Sequence, residues 1–356
     1  MTAYLFDILK KFPLDAEPII CERFGHGHIN ETYIAITDSG NRYILQKINN
    51  RVFPNVPALM ENIVAVTQHL RSQISDPDGV LTLVKTVDGQ WYLTHEDGSY
   101  WRVYEFVNHC LCLQSPETPE DFYQSALAFG NFQQQLVSFP AHTLHETIAN
   151  FHNTRDRYRI FREKLAADPM NRAKDVQAEI QFALDREQEA ATLVTMLENG
   201  ELPLRVTHND TKLNNVMLDM RTRKPLCVID LDTVMPGLSL YDFGDSIRFG
   251  AATAAEDEKD LSKMEMSLDL FRIYTRGFVS ACPGLTENEK KMLPMGAKLM
   301  TLECGVRFLT DYLDGDHYFA THREGQNLDR CRTQFKLVAD MESKWEQMAQ
   351  IVREEA

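Results

Sequence analysis

The segment that most constrains this chain is RVTHNDTKLNNVMLD, residues 205–219, where a dense polar run lies between two short apolar stretches. Buried polar side chains need hydrogen-bond partners, so folding alone gives little reason to place so many of them together. A second apolar run that contains acidic residues, CVIDLDT at 227–233, follows soon after. We therefore interpret the polar run as a functional loop that short strands hold in place.

Within this run, His208, Asp210 and Asn215 follow the pattern H-x-D-x-x-x-x-N. Catalytic loops of protein kinases use this spacing, in which the aspartate accepts the proton of the attacking hydroxyl and the asparagine holds a metal ion. The gap allows a tight loop to direct one side chain at an acceptor while the other faces the phosphates. The pattern predicts Asp210 as a catalytic base and Asn215 as a ligand of Mg²⁺.

Phosphoryl transfer needs a further carboxylate for Mg²⁺, best placed at the end of a buried strand. Asp230 ends the apolar part of CVIDLDT, and we predict it as this ligand. The triplet Asp242, Phe243 and Gly244 copies the kinase sequence DFG, but it begins a segment with a helical pattern, YDFGDSIRFG. We therefore expect Asp242 to brace the catalytic loop rather than to bind metal.

The rest of the chain changes character near residue 107. Strand patterns and turn signals fill residues 18–107, interrupted by one helical segment at 57–74. Helical patterns follow, at 120–139, 255–281, 289–313 and 327–356, with capping residues at Thr118 and Thr286. This predicts an α+β fold with two lobes: residues 1–107, mostly antiparallel sheet with one helix, would bind nucleotide, and residues 108–356, mostly helical, would hold the catalytic loop.

Composition limits the compartment and the partners. The net charge of −15 argues against a nucleic-acid partner, which would need concentrated Lys and Arg, but it allows a nucleotide held through a divalent cation. The N-terminus lacks the pattern of a secretory signal, and no run of 18 uncharged apolar residues predicts a membrane partner. Seven scattered cysteines without CxxC spacing suggest reduced thiols. We expect a cytoplasmic protein; its oligomeric state stays open.

Glycines near the first predicted hairpin suggest a loop over ATP phosphates. RFGHGHINET carries Gly25 and Gly27, and Asn30 stands where a kinase loop has its third glycine. Backbone N–H groups, with the Asn30 side chain, would cradle the phosphates. The alternative is a hairpin turn without a ligand.

Two further segments of the first lobe carry nucleotide candidates. In RYILQKIN, Gln46 takes the position of the kinase lysine and Lys47 follows it, so only one of the two faces the ligand, because strand side chains alternate. If Lys47 faces the ligand, Glu61 is a candidate helix partner. The backbone from Glu105 to Val107 would read the adenine edge, unless this segment is simply an edge strand.

Taken together, these residues make the chain resemble the aminoglycoside phosphotransferase and choline kinase superfamily, whose fold is protein-kinase-like, and more closely the bacterial N-acetylhexosamine 1-kinases. The resemblance rests on GHGHINETYI, VTHNDTKLNN, IDLDTVMPG, DFGDSIRFG and ECGVRFLTDYL. It implies transfer of the ATP γ-phosphate to the anomeric hydroxyl of GlcNAc or GalNAc, with Asp210 as the base at that hydroxyl. It also implies that the second lobe binds the sugar.

The same resemblance implies four further sugar contacts, His28, Asp245, Arg307 and Tyr318. Each has a structural alternative: His28 as a turn residue, Asp245 as a helix cap, Arg307 as a surface charge and Tyr318 as a core residue. The sequence leaves open the choice between GlcNAc and GalNAc.

Two other functions fit parts of the sequence. One is a related small-molecule kinase acting on choline, ethanolamine or an aminoglycoside, although Arg307 near the acceptor would disfavour a cation. The other is a catalytically silent kinase fold that binds nucleotide, which the missing third glycine and the ambiguous lysine permit. Intact Asp210, Asn215 and Asp230 argue against the silent form.

Overall fold

The computed structural model describes residues 2–25 and 29–356 of the chain. Within that part, the chain divides into two compact units. The first contains the described residues of Met1–Leu111, together with His142–Ala149 and Met217–Met235, and the second contains Cys112–Ala141, Asn150–Val216 and Pro236–Ala356. The division into nucleotide-binding and catalytic lobes after residue 107 stays a prediction, because packing units do not identify ligands. Among the described helices, none has the length and apolarity needed to cross a bilayer.

Strands concentrate in the N-terminal third and helices in the remainder. The strands are β1 (Pro18–Arg23), β2 (Glu31–Thr37), β3 (Arg42–Ile48), β4 (Leu83–Val84), β5 (Leu93–Thr94), β6 (Tyr100–Glu105), β7 (Cys110–Leu111), β8 (Arg205–Thr207), β9 (Val216–Asp219), β10 (Pro225–Val228) and β11 (Met235–Gly237). The helices are α1 (Thr2–Leu9), α2 (Val56–Gln73), α3 (Pro119–Gln135), α4 (Thr154–Ala167), α5 (Gln177–Leu184), α6 (Glu187–Ala190), α7 (Thr192–Glu198), α8 (Ser239–Gly250), α9 (Leu268–Ala281), α10 (Glu287–Lys291), α11 (Leu293–Asp314), α12 (Gln326–Ser343) and α13 (Trp345–Glu355). This distribution confirms the predicted α+β class.

The main sheet of the first unit is antiparallel, in the order β1, β2, β3, β6, β4, with β5 also paired to β6. Helix α1 covers one face, and its apolar residues share a core with strand residues, among them Tyr33, Leu45, Trp101 and Val103. Burying such side chains stabilises the fold by about 1.5–3 kcal/mol each, which fixes the register of the strands. Because side chains alternate along a strand, Gln46 and Arg102 project from the opposite face.

The second unit is built from helices around α11, which packs against α4, α8 and α12, while α3 packs against α9. Helix α8 approaches α11 closely because glycines face each other: a Cβ on Gly296 would lie 2.7 Å from the carbonyl oxygen of Leu240, and one on Gly244 would clash with the carbonyl of Gly296. The glycine of the DFG triplet therefore serves helix packing.

Several predicted boundaries differ from the structure. Both capping boxes are present, at Thr118 and Thr286. The predicted helix at 255–281 begins only at Leu268, because Ser267 caps it through its hydroxyl and the acidic stretch before it forms turns. The last helix is interrupted at Lys344. The helices α4 to α7 were not predicted.

Candidate active site

The predicted catalytic loop leaves β8 at Thr207 and ends in a 3-10 turn, Leu213–Asn215, before β9. This turn brings Asn215 back to Asp210: Asn215 Nδ2 lies 2.8 Å from the Asp210 carbonyl oxygen and 3.1 Å from Oδ2. Lys212 Nζ lies 2.8 Å from the other carboxylate oxygen, Oδ1. The H-x-D-x-x-x-x-N spacing thus places the predicted base beside the predicted amide ligand. Lys212 was not singled out from the sequence.

Asp242 holds the first half of this loop. Its carboxylate accepts hydrogen bonds from the backbone N–H groups of His208, at 2.9 Å, and Asn209, at 2.7 Å, and from Gln133 Nε2 at 2.5 Å. These bonds support Asn209 at a φ of 65°, a left-handed conformation that is costly outside glycine. Burial raises the pKa of Asp242 despite the opposing effect of His208. The predicted bracing role of Asp242 is confirmed.

Asp245 lies one turn further along α8 and holds the second half of the loop. Its Oδ2 accepts from the Thr211 N–H at 3.0 Å, and its Oδ1 lies 2.9 Å from Arg248 Nη2. Burial raises the pKa of Asp245, but the charges of Arg248 and Lys212 outweigh this effect and leave it below the ordinary value. The helix-cap alternative is wrong, since Asp245 lies inside α8. Its sugar contact stays a prediction.

A buried histidine joins this loop to α11. His152 Nδ1 lies 2.8 Å from Glu303 Oε1, and its Nε2 lies 3.4 Å from the carbonyl oxygen of Asn209. The neighbouring ring of Phe151 lies 5.2 Å from the Arg307 guanidinium. Contacts therefore run from the catalytic loop to the Arg307 side chain, through a segment that the sequence analysis did not select.

Arg307 and Tyr318 lie together, as their predicted roles require. Arg307 Nη2 is 3.3 Å from the Tyr318 hydroxyl, and the guanidinium lies 5.6 Å from the Tyr318 ring centre. Asp311 fixes the segment, because its Oδ1 accepts from the Tyr318 N–H at 2.8 Å. Tyr318 is 62% exposed, so its alternative as a core residue is wrong. An exposed aromatic with a hydroxyl beside a guanidinium offers both a flat face and polar donors to a ligand.

The glycine-rich segment is only partly described. Gly25 has a φ of 75°, which suits a tight turn, whereas Gly27 and His28 lie outside the described residues. Asn30 is 8% exposed, and its side chain bonds within the protein: Nδ2 donates to Asp232, and Oδ1 accepts from the Asn49 N–H at 2.9 Å. Its role toward phosphates stays a prediction.

Gln46 and Lys47 point to opposite faces of the sheet. Gln46 Oε1 accepts from Arg102 Nε at 3.0 Å on the face away from α1. Lys47 lies on the α1 face, with Nζ 5.9 Å from the Trp101 ring centre and 3.6 Å from Glu31 Oε1. The suggested Glu61 partner is wrong, since Glu61 Oε2 bonds His145 Nε2 at 2.7 Å. Which of the two residues meets phosphate stays a prediction.

The predicted adenine edge begins at the end of β6. The Glu105 N–H donates to the Thr82 carbonyl at 2.9 Å, and the Phe106 N–H donates to the Arg42 carbonyl at 3.2 Å. No described residue accepts from the N–H of Val107, which lies beyond the paired part of the strand. Of these three amides, that of Val107 is therefore the one that sheet pairing does not use.

Asp230 follows β10 and is exposed, with φ 59° and ψ 57°. The 3-10 turn Leu231–Thr233 comes next, and within it Asp232 is almost fully buried. Arg102 binds Asp232 with both terminal nitrogens. The sequence analysis missed this pair, although the second acidic residue of IDLDT was a visible signal.

Comparison with known proteins identifies the family and the fold of the chain. A family model described as the phosphotransferase enzyme family matches residues 20–263. An aminoglycoside phosphotransferase from Alicyclobacillus acidocaldarius has a similar structure, with a TM-score of 0.64, 16% identity and coverage of 98% of this chain and 96% of that chain. A choline kinase from Cryptosporidium parvum matches with a TM-score of 0.62 and 12% identity, and the match covers 99% of each chain. A microcompartment-associated aminopropanol kinase matches with a TM-score of 0.61 and 16% identity, and the match covers 98% of this chain and 99% of that chain.

At these identities the solved structures show the fold alone, which is the protein-kinase-like fold of such enzymes. The family match is broader evidence, because it spans more than half of the chain and includes both loops described above. The chain belongs to the phosphotransferase enzyme family.

Proposed function

We propose that this protein is an ATP-dependent N-acetylhexosamine 1-kinase, which transfers the γ-phosphoryl group of ATP to the anomeric hydroxyl of GlcNAc or GalNAc. The observation that carries the proposal is the pairing of Asp210 with Asn215 in a loop braced by Asp242. Phosphoryl transfer depends on positioning and electrostatic stabilisation more than on covalent chemistry, and a rigid loop supplies positioning.

Asp210 orients the acceptor hydroxyl and takes its proton. Lys212 and Asn215 each hold one oxygen of its carboxylate, so the carboxylate has a defined direction. An anomeric hydroxyl is more acidic than an ordinary alcohol, so an orienting carboxylate is sufficient as the base.

The donor atoms of Asn215 and Asp230 fit Mg²⁺, which prefers oxygen ligands. Both hydrogen bonds of the Asn215 amide to described residues use Nδ2, so its Oδ1 is available as an acceptor. Asp230 is an exposed residue with a left-handed backbone conformation. When bound, Mg²⁺ would neutralise charge on the transferring phosphates.

The neighbourhood of Arg307 supports a neutral acceptor over a cationic one. Arg157 donates to the Phe151 carbonyl from Nε, at 3.0 Å, and from Nη2, at 2.6 Å, while Arg307 lies near the ring of the same residue. Burial lowers the pKa of Arg157, and the nearby charge of Arg307 lowers it further. Choline and aminoglycosides would be repelled by two guanidinium groups, whereas sugar oxygens accept hydrogen bonds from them.

The test is ADP release with ATP and Mg²⁺ across GlcNAc, GalNAc, glucose, choline and kanamycin. The matched control is 1-deoxy-GlcNAc, which lacks the reacting hydroxyl and keeps the rest of the sugar. We expect release with one or both N-acetylhexosamines and none with the control. Activity on choline or kanamycin alone would show that the acceptor is a cation rather than a sugar. No ADP release with any acceptor, despite nucleotide binding, would favour a non-catalytic role.

A further inference from the structure

The face of the main sheet that carries Gln46 has a cation on the neighbouring strand. In the β3–β6 pair, Gln46 lies opposite Arg102, whose Nε donates to Gln46 Oε1 at 3.0 Å. Kinases place a lysine at this position of the third strand, where it holds phosphates and pairs with an acid. Here Lys47 points to the opposite face, toward Trp101. The buried guanidinium of Arg102 is thus the cation that this face presents next to Gln46.

Arg102 is committed to one partner. Its Nη1 lies 2.5 Å from Asp232 Oδ1 and its Nη2 lies 2.9 Å from Oδ2, and the two residues are 1% and 2% exposed. Burial lowers the pKa of Arg102, but the charge of Asp232 outweighs this and leaves it above the ordinary value. A buried ion pair often stabilises a protein no more than apolar residues of the same volume would. Stability alone therefore explains the pair poorly.

Other side chains hold the same segment from different directions. Asn30 Nδ2 donates to the Asp232 carboxylate, and the Thr147 hydroxyl donates to the Asp232 carbonyl oxygen at 3.1 Å. Asn62 Nδ2 donates to the Val234 carbonyl oxygen at 3.0 Å. Four side chains from separate parts of the first unit thus fix a segment of three residues, 232–234.

Asp230 lies directly before this fixed segment. A left-handed backbone costs most non-glycine residues about 1–2 kcal/mol, and even aspartate, which tolerates it better than most, adopts it more readily where the surroundings favour it. The bonds to Asp232 and Val234 supply that constraint, because they leave the chain little freedom between β10 and the 3-10 turn. The charge of Asp230 also contributes to the raised pKa of Arg102.

We propose that Arg102 is a positioning residue for the Mg²⁺–nucleotide site: by clamping Asp232 it fixes the backbone on which the Asp230 carboxylate is presented. The inference rests on the metal role of Asp230 in the proposed function. In other kinases a lysine on the third strand helps to order the nucleotide site. Here the arginine of β6 and the turn after β10 would do so. Arg102 itself touches neither metal nor phosphate in this account.

The test is titration of ADP binding with Arg102→Lys, with and without Mg²⁺. Lysine keeps the charge but loses the two-point contact with Asp232. We expect Mg²⁺-dependent ADP affinity to fall at least tenfold, while ADP affinity in EDTA changes less than threefold. In the assay of the proposed reaction, kcat should fall while KM for the sugar stays within threefold.

Arg205→Lys is the matched control. Within the second unit, Arg205 makes a buried bidentate ion pair with Glu289, with Nε–Oε1 at 2.8 Å and Nη2–Oε2 at 2.6 Å. Breaking it should lower thermal stability and leave the Mg²⁺ response of ADP binding unchanged. Equal loss of the Mg²⁺ response in both variants would overturn the inference.

A double variant guards against misfolding of the single one. Arg102→Met with Asp232→Leu replaces the ion pair by apolar side chains, which restores packing without the clamp. A folded double variant with a wild-type Mg²⁺ response would overturn the inference, and one with a lost response supports it. If ADP binding to the wild type does not depend on Mg²⁺, both this inference and the proposed function fail. If ADP binding to the wild type depends on Mg²⁺ and the Arg102 variants show the same dependence, only the inference is overturned.

Discussion

The catalytic loop of the second unit and the Asp230 turn of the first unit both hold a strained backbone, but different interactions hold it. Each contains a non-glycine residue in the left-handed region, Asn209 at a φ of 65° and Asp230 at 59°. The catalytic loop is held by backbone N–H groups that donate to Asp242. The other turn is held by the ion pair of Arg102 with Asp232. In the first case a buried carboxylate accepts from backbone N–H groups, and in the second a carboxylate is paired with a guanidinium, so mutation and pH should affect the two constraints differently.

The largest expected effect comes from removing the proposed base within the catalytic loop. Asp210→Asn keeps the size of the side chain but removes its negative charge, so the acceptor hydroxyl loses its proton acceptor. We expect kcat to fall by about three orders of magnitude or more while ATP binding stays largely intact. Steady-state kinetics together with nucleotide titration would check this. Turnover within tenfold of the wild type would remove Asp210 from the role.

Next in size is the loss of the loop brace. Asp242→Ala leaves the buried N–H groups of His208 and Asn209 without their acceptor, at a cost of about 1–3 kcal/mol for each. The free energy of unfolding should therefore fall by about 2–6 kcal/mol in urea denaturation. Asp269→Asn, at an exposed position on α9, should change it by no more than about 0.5 kcal/mol. A loss in Asp242→Ala no larger than in this control would show that the brace carries little energy.

A smaller effect distinguishes two carboxylates on α8 by their response to pH. Burial raises the pKa of Asp242, so its contribution to stability declines as pH rises above about 4, the ordinary carboxyl value. Burial also raises the pKa of Asp245, but Arg248 and Lys212 reverse the net shift, so its contribution is present above about 4 and is lost as pH falls further.

The two variants Asp242→Asn and Asp245→Asn should therefore show opposite trends against the wild type. The free energy of unfolding of Asp242→Asn, relative to that of the wild type, should rise with pH. Asp245→Asn should be less stable than the wild type at neutral pH, and this difference should become smaller in acid. Urea unfolding at several pH values would measure both. Parallel trends in the two variants would contradict the assignment of opposite pKa shifts.

The smallest expected effect tests which residue of β3 faces the nucleotide. Lys47 lies on the α1 face beside Glu31, in a partly exposed pair worth about 0–1 kcal/mol. Lys47→Ala should leave KM for ATP within about threefold, whereas Gln46→Ala, which removes a partner of Arg102, should raise it more. A tenfold rise in KM with Lys47→Ala alone would reverse the assignment.

The sequence predicted the local parts of the site well. Alternating apolar residues and turn signals located the strands around the catalytic loop, and the spacing from His208 to Asn215 predicted a tight loop that carries Asp210 and Asn215. The helical pattern around Asp242 predicted that it braces the loop, and its hydrogen bonds confirm this. All of these depend on neighbours within a few residues or on one helix.

Contacts between distant segments were missed for a physical reason. Arg102 and Asp232 are 130 positions apart, and no local pattern shows that an arginine in YWRVYEF is buried and paired. The same holds for His152 and Glu303, which lie 151 positions apart. Strand pairing shows which face of the sheet Arg102 occupies, and only the folded structure shows that Asp232 lies there.

Phosphorus NMR of the product that the wild-type protein makes from GlcNAc, ATP and Mg²⁺ tests the proposed reaction most directly. We predict a single α-type sugar 1-phosphate, with the phosphorus coupled to the anomeric proton, and none of it in the Asp210→Asn reaction. A phosphate on any other hydroxyl, or an unchanged product yield with Asp210→Asn, would contradict the account.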